Sequence, residues 1–211
     1  MAKKDSGTGG KKNSKLKIVV IVLVALAVIG AFGSAGKGQT SGSAASSSQT
    51  AASQAPQADD NVPTEYKTAL NKAESYSNTM HMSKQGIYDQ LTSEYGENYS
   101  EEAAQYAVDN LDADYNANAL AKAKDYSNTM HMSKQGIYDQ LTASAGEKFT
   151  EEEAQYAVDN LDADYNANAL EKAKQYQSQM NMSPEAIRDQ LTSSAGEKFT
   201  QEEADYAIAN L

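Results

Sequence analysis

Asp112, Asp114, Asn116 and Asn118 stand at alternate positions as D-x-D-x-N-x-N, the opening of a calcium-binding loop. Such a loop needs glycine at its sixth position for the turn and a bidentate carboxylate at its twelfth. Those places hold Ala117 and Ala123, and the copy that starts at Asp162 fails in the same way at Ala167 and Ala173. Carboxylates before a helix also accept its free backbone amides, and helix capping is the reading these residues favour. His81 and His131 are the only histidines, and fifty residues further on the matching place is Asn181. A general base or metal ligand cannot be imidazole twice and amide the third time, whereas a hydrogen-bonding role at a helix end suits both. Cysteine is absent, which excludes thiolate metal sites, disulfides and cysteine nucleophiles. No G-x-S-x-G turn, phosphate loop or nucleophile-base spacing occurs. The expectation is a protein that is not an enzyme, with no cofactor and no metal.

Two further groups draw attention. Glu151, Glu152 and Glu153 form an acidic cluster, explained by a helix first turn, where carboxylates are stabilised by the positive end of the helix. Tyr88 and Tyr138 follow Ile87 and Ile137, and Arg188 takes the same place after Ile187. The isoleucines, with Leu91, Leu141 and Leu191, keep the buried spacing, so their neighbour can vary and lies at a surface edge. Tyr88, Tyr138 and Arg188 are therefore candidate contacts for a protein partner, weighed against the simpler role of a peripheral core tyrosine.

These residues recur because the chain repeats itself. Tyr76, Tyr126 and Tyr176 are fifty residues apart, as are Met82, Met132 and Met182, and YSNTMHMSKQGIYDQLT from Tyr76 to Thr92 returns unchanged from Tyr126 to Thr142. Units at 63–111, 112–161 and 162–211 follow, a tandem array in place of one globular enzyme. Each unit reads as three helices. Tyr66, Leu70, Ala73, Tyr76 and Met80 lie on one helical face that starts at Pro63, and Asp112 and Asp162 are the expected N-caps of its copies. The last helix of one unit either stops before the next or runs into it; the proline favours a restart. Ser83, Ser133 and Ser183 cap a short second helix ending near Gly96, Gly146 and Gly196. Thr150 with Glu153 and Thr200 with Glu203 have capping-box spacing before a third helix, while Ser100 with Ala103 keeps only the cap. Two short helices behind a longer one have a helix-turn-helix outline. Units this small make marginal cores, and Tyr and Met are expected to fill much of them.

The fold class read from the sequence is all-α, preceded by a membrane helix and a disordered linker. Residues 1–17 form a basic tail, and the run from Ile18 to Phe32 is apolar or glycine throughout, long enough with its neighbours to cross a bilayer. Residues 18–33 are the membrane segment. Six lysines precede it, against Lys37 alone just after, so the positive-inside rule puts the N-terminus in the cytoplasm and the repeats outside. Small residues at Ala31, Gly33 and Ala35 would permit cleavage, but the length of the apolar run favours an anchor that is kept. Residues 34–62, rich in Ser, Ala, Gln and Gly, form a linker with a mean reach of about 30 Å and a stretched reach of about 100 Å. Beyond Lys37 the chain holds 11 basic and 28 acidic residues. A body this acidic lacks the clustered cations that drive counterion release, so nucleic acid is not the expected partner.

YSNTMHMSKQGIYDQLT, followed by GEKFTEEEAQYAVDNL from Gly146 to Leu161, resembles the Ltp family of host cell surface-exposed lipoproteins across all three units. The resemblance implies extracytoplasmic helix-turn-helix repeats and superinfection exclusion, in which a surface protein blocks DNA injection by engaging an incoming phage protein such as the tape measure. One departure is plain: a lipoprotein carries its lipid on cysteine, and this sequence has none. Anchoring then falls to the apolar helix. The alternative reading is a structural or wall-associated envelope protein without a defence role, in which tyrosines stack on sugars.

Overall fold

The computed structural model describes residues 61–211. The basic tail, the membrane segment and all but the last two residues of the linker lie outside the described residues. No helix among the described residues is long and apolar enough to cross a membrane.

Among the described residues the chain is all-α and folds as three copies of one three-helix unit. The first contains α1 (Thr64–Met80), α2 (Lys84–Thr92) and α3 (Glu101–Asn110). The second contains α4 (Tyr115–Met130), α5 (Lys134–Thr142) and α6 (Glu151–Asn160), and the third α7 (Tyr165–Met180), α8 (Pro184–Thr192) and α9 (Gln201–Ala209). In each unit the long first helix packs most extensively on the third, and the short second helix packs against both.

Local chemistry sets these boundaries. Ser83, Ser133 and Ser183 accept a backbone amide at the start of the second helix, as expected from their position. Thr150 and Thr200 form full capping boxes with Glu153 and Glu203. Ser100 caps alone, and its own amide goes to Glu65 Oε1 at 2.9 Å, so a carboxylate from α1 does the work of the missing capping-box glutamate. Each first helix ends at a left-handed residue, His81, His131 or Asn181, with φ 51°. His and Asn tolerate this region better than most side chains. The next amide returns to a carbonyl six residues back, as from Met82 to Tyr76 O, which closes the helix end. The interchange of histidine and asparagine thus rests on backbone conformation.

Several expectations need correction. The first helices restart in each unit, but their caps are Asp114 and Asp164, two residues after Asp112 and Asp162. Pro63 occupies the N-cap of α1 and the helix begins at Thr64. The second helices stop at Thr92, Thr142 and Thr192; a turn then carries the chain to the glycine. Met80 is exposed, not inward. Tyr and Met pack around the cores and, apart from Tyr126, do not form their centres. The buried set is mainly alanine, with Ile87, Leu91, Ile137, Leu141, Ile187 and Leu191 as the largest fully buried side chains. Tyr126 is the one buried tyrosine among the described residues. Alanine at the facing positions lets the first and third helices approach closely, and rings meet at the margin of that contact, as Tyr66 and Tyr106 do with centroids 5.2 Å apart. Each fully buried Ile or Leu contributes about 1.5–3 kcal/mol, so two per unit carry much of the core.

Candidate functional site

In the second and third units the turn after the second helix supplies one side of the contact with the preceding unit. A Cβ on Gly146 would meet Gln140 O at 2.4 Å, so only glycine fits, and the same holds for Gly96 and Gly196. The next residue, Glu147, is gripped from within its own unit by the Tyr126 hydroxyl and by Lys122 Nζ at 3.3 Å. Glu97 is held likewise by Tyr76 at 2.7 Å and Lys72 at 3.0 Å. Donation from Tyr76, and then from Lys72, holds the Glu97 carboxyl below its ordinary value. Burial, and then the neighbouring Glu97, pushes the Tyr76 phenol up to about 12; Tyr126 and Tyr176 are pushed up by the same causes. The clamp fixes the turn, and the turn faces the preceding unit.

Three contacts close each seam. Ser83 Oγ donates to Glu147 O at 2.5 Å, Lys148 pairs with Asp89, and Asn118 Nδ2 donates to Ser77 Oγ at 2.9 Å and Met82 O at 3.0 Å. The second seam repeats them with Ser133 to Glu197 O, Lys198 to Asp139, and Asn168 to Ser127 and Met132. Ser77, Ser83 and Asn118 are all buried, so the centre of the seam is a polar joint sealed from water, while the Lys148–Asp89 pair lies at its partly exposed edge. Tyr115 and Tyr165 cross it to pack on the core of the unit before. Their hydroxyls are buried with no hydrogen-bond partner among the described residues, and burial raises both phenols above their ordinary value.

Beside each seam lies a groove. The first, of about 320 Å³, has Tyr88 and Val108 at its floor and Lys84, Lys148 and Glu153 on its rim. The second, of about 370 Å³, repeats it with Tyr138, Val158, Lys134, Lys198 and Glu203, and Tyr165 reaches its edge. The rim lysines are spoken for: Lys84 pairs with Asp109 and Lys134 with Asp159, each at 2.8 Å, while Lys148 and Lys198 hold the seam. Next to the grooves lie Asp112, Asp114 and Glu152 on one side and Asp162 and Asp164 on the other. The surface around the tyrosines is therefore acidic with an apolar floor.

Of the expected contact residues, Tyr88 and Tyr138 are brought to equivalent places, half-buried, one in each groove. Arg188 is placed otherwise. It binds Glu185 through Nη1 at 2.8 Å, and its Nε lies 3.0 Å from Asp205, both within its own unit. The D-x-D-x-N-x-N residues divide between tasks: Asp114 caps α4 and Asn118 joins the seam. Among the described residues no cluster of three or more His, Asp or Glu is arranged to hold a metal ion. The seam residues were missed from the sequence as interface groups, although a signal was present: YSNTMHMSKQGIYDQLT, which receives a following unit, is unbroken in the first two units and altered in the third.

The sequence model of a family described as host cell surface-exposed lipoprotein matches residues 64–111, 114–161 and 164–211. A comparison with curated proteins finds no match. Among solved structures the chain is similar to Ltp, a superinfection exclusion protein from the Streptococcus thermophilus temperate phage TP-J34, at 54% sequence identity. That match covers 46% of this chain and 94% of that one, with a TM-score of 0.42. RecX from Lactobacillus salivarius matches at 16% identity over 70% of this chain and 96% of its own, with a TM-score of 0.49, a likeness that says nothing of what this chain does. With three successive units matched, one for each three-helix copy, the chain belongs to the Ltp family of host cell surface-exposed lipoproteins.

Proposed function

We propose that this protein is a surface-displayed binding array that excludes superinfecting phage by obstructing DNA entry. The observation that carries the reading is the 54% identity to a superinfection exclusion protein over 94% of that protein's length. In this reading residues 18–33 anchor the chain, residues 34–62 carry the array away from the membrane, and the array meets a protein of the incoming phage such as the tape measure. A binding role fits the absence of any catalytic motif in the sequence. The carboxylates that adjoin the grooves of Tyr88 and Tyr138, among them Asp112, Asp114, Glu152 and Asp159, suit a partner segment that is basic and carries apolar side chains.

Expression in a phage-sensitive host tests this, with display of the array confirmed by protease shaving of intact cells. Normal adsorption with reduced entry of labelled phage DNA is the expected result. Normal entry on cells that display the array would refute it. A wall-binding role is the second reading, favoured by three exposed tyrosines, Tyr95, Tyr156 and Tyr206, which could stack on sugars. Retention of the purified full chain on isolated cell wall, with unaltered phage entry, would select it.

A further inference from the structure

The two seams are geometrically the same joint, and each has a direction. The receiving face consists of Ser77, Met82 O, Ser83 and Asp89 in the first unit and Ser127, Met132 O, Ser133 and Asp139 in the second. The docking face consists of Tyr115, Asn118 and Lys148 in the second unit and Tyr165, Asn168 and Lys198 in the third. Both faces are intact wherever two units meet.

At the outward ends the docking face has changed at every position, while the receiving face keeps Met182, Ser183 and Asp189 but loses the serine that accepts the seam asparagine. On the first unit, Tyr, Asn and Lys of the docking face are Glu65, Thr68 and Asn98. Glu65 turns instead to the Ser100 amide of its own unit, and threonine cannot make the two donations that Asn118 makes. On the third unit, Gln177 stands where Ser77 and Ser127 accept the seam asparagine, and Ala186 replaces Gly86 and Gly136. A methyl at Gly86 would lie 3.1 Å from Ser83 Oγ and 3.6 Å from Glu147 O. In keeping with that crowding, the cap bond to Ser183 Oγ is 3.4 Å, against 3.0 Å at Ser83. Ser183 is left exposed, whereas Ser83 and Ser133 are each 1% accessible.

We infer that the seam is a directional self-recognition surface whose partner is another copy of the same unit, and that the outward faces of the first and third units have lost it, so that separate chains do not stack end to end. Terminal units of stacked arrays need such altered outer faces to stay soluble. The changed residues remove complementary bonds and add misfitting groups, which is how an interface rejects a wrong partner.

The absence of cysteine supplies a clean test in the full chain, held in detergent micelles. Asn98→Cys and Asp189→Cys occupy the outward positions that match Lys148 and Asp89, which meet across the seam only at the tips of their side chains, so a short bis-maleimide linker, spanning more than a direct disulfide can, reports end-to-end docking between chains. With the ends otherwise unchanged, the double-cysteine chain is expected to stay monomeric on treatment with the linker. Adding Glu65→Tyr and Thr68→Asn, and replacing residues 177–188 by the sequence of 127–138, is expected to give a ladder of linked chains. Linked species should increase by roughly tenfold or more, the signature of restored complementarity. If this chain folds poorly, two chains each with one restored face and its one cysteine replace it; each alone should stay monomeric and their mixture should give a single linked dimer. Ladders of equal strength from the unrestored ends would overturn the inference, as would absence of linkage between folded, restored faces.

Discussion

The Nδ2 of Asn118 lies 2.9 Å from the Oγ of Ser77, across the boundary between two units and sealed from solvent. The same amide donates to Met82 O, so one side chain serves two acceptors that no water reaches easily. Both acceptors come from the left-handed end of α1, where His81 turns the chain and brings Met82 O to the seam. Helix termination in one unit is therefore also what positions it to accept the next.

Replacing Asn118 by alanine leaves the Ser77 hydroxyl and the Met82 carbonyl without their buried donor. The expected loss is about 1–3 kcal/mol, the cost of an unsatisfied buried polar group. The outward equivalent Thr68→Ala should cost far less, because no unit among the described residues docks there. Urea denaturation of both variants checks this, and equal losses would show that Asn118 acts only within its own helix.

Two glycines of similar appearance should respond differently. At Gly146 a Cβ would lie 2.4 Å from a backbone carbonyl that cannot move without breaking the turn, so Gly146→Ala is expected to destabilise by about 2 kcal/mol or more. At Gly136 the nearest atom is Ser133 Oγ at 3.1 Å and the seam carbonyl Glu197 O is 3.6 Å away. Helix propensity favours alanine there by up to about 1 kcal/mol, so Gly136→Ala should lose little or nothing in its own unit while loosening the second seam. Thermal melts rank the two, and hydrogen exchange at the Asn168 side of the joint reads the loosening.

Alkali should weaken the array in a defined window. The Tyr76 phenol titrates near 10 when unfolded and at about 12 when folded. Its folded-state value is raised, so the stability it adds is fully present below pH 10 and is lost as pH rises from there through about 12. Tyr126 and Tyr176 are shifted the same way and add to the slope. Denaturant midpoints at pH 8 and pH 11 should differ for the wild type, and changing all three to phenylalanine should flatten the dependence. A slope that persists unchanged would assign the alkaline loss to other groups.

How much of this was legible in the sequence differs by scale. Capping signals placed the second and third helices, because Ser83 or the Thr150 and Glu153 pair act on amides a few residues away. The caps of α4 and α7 were misplaced because Asp112 and Asp114 carry the same chemistry two residues apart, and only the packing of Tyr115 into the preceding unit decides between them. Alanine as the main interior residue was also hidden: alanine is common on both sides of a helix, and the close approach of α1 to α3 is a tertiary fact. Tyr88 and Tyr138 were recognised as edge residues from their exchange with Arg188, but the grooves they line exist only once a second unit docks.

That dependence on docking shapes the last prediction. Tyr88 and Tyr138 each contribute one aromatic floor to a groove, at the same register in successive units, while Arg188 holds the position in the third unit with Glu185 and Asp205, whose places in the first two units are Gln85, Gln105, Gln135 and Gln155. Both tyrosines are half-buried at an edge while Ile87, Leu91, Ile137 and Leu141 fill the cores, so Tyr88→Arg with Tyr138→Arg should keep the fold while replacing two apolar floors with cations that draw in Glu153, Glu203 or their neighbours. If the grooves receive basic, apolar-bearing segments of a phage protein, the double variant repels them and loses the ring surface that anchors them. Exclusion of phage DNA entry is expected to fall by at least about tenfold, with smaller falls for each single change, because a linked pair of sites binds more tightly than either alone. Surface display and the melting temperature, measured on the same variants, separate this from simple unfolding. Full exclusion by a well-displayed double variant would move the contact away from the grooves, towards the exposed rings of Tyr156 and Tyr206 on the third helices.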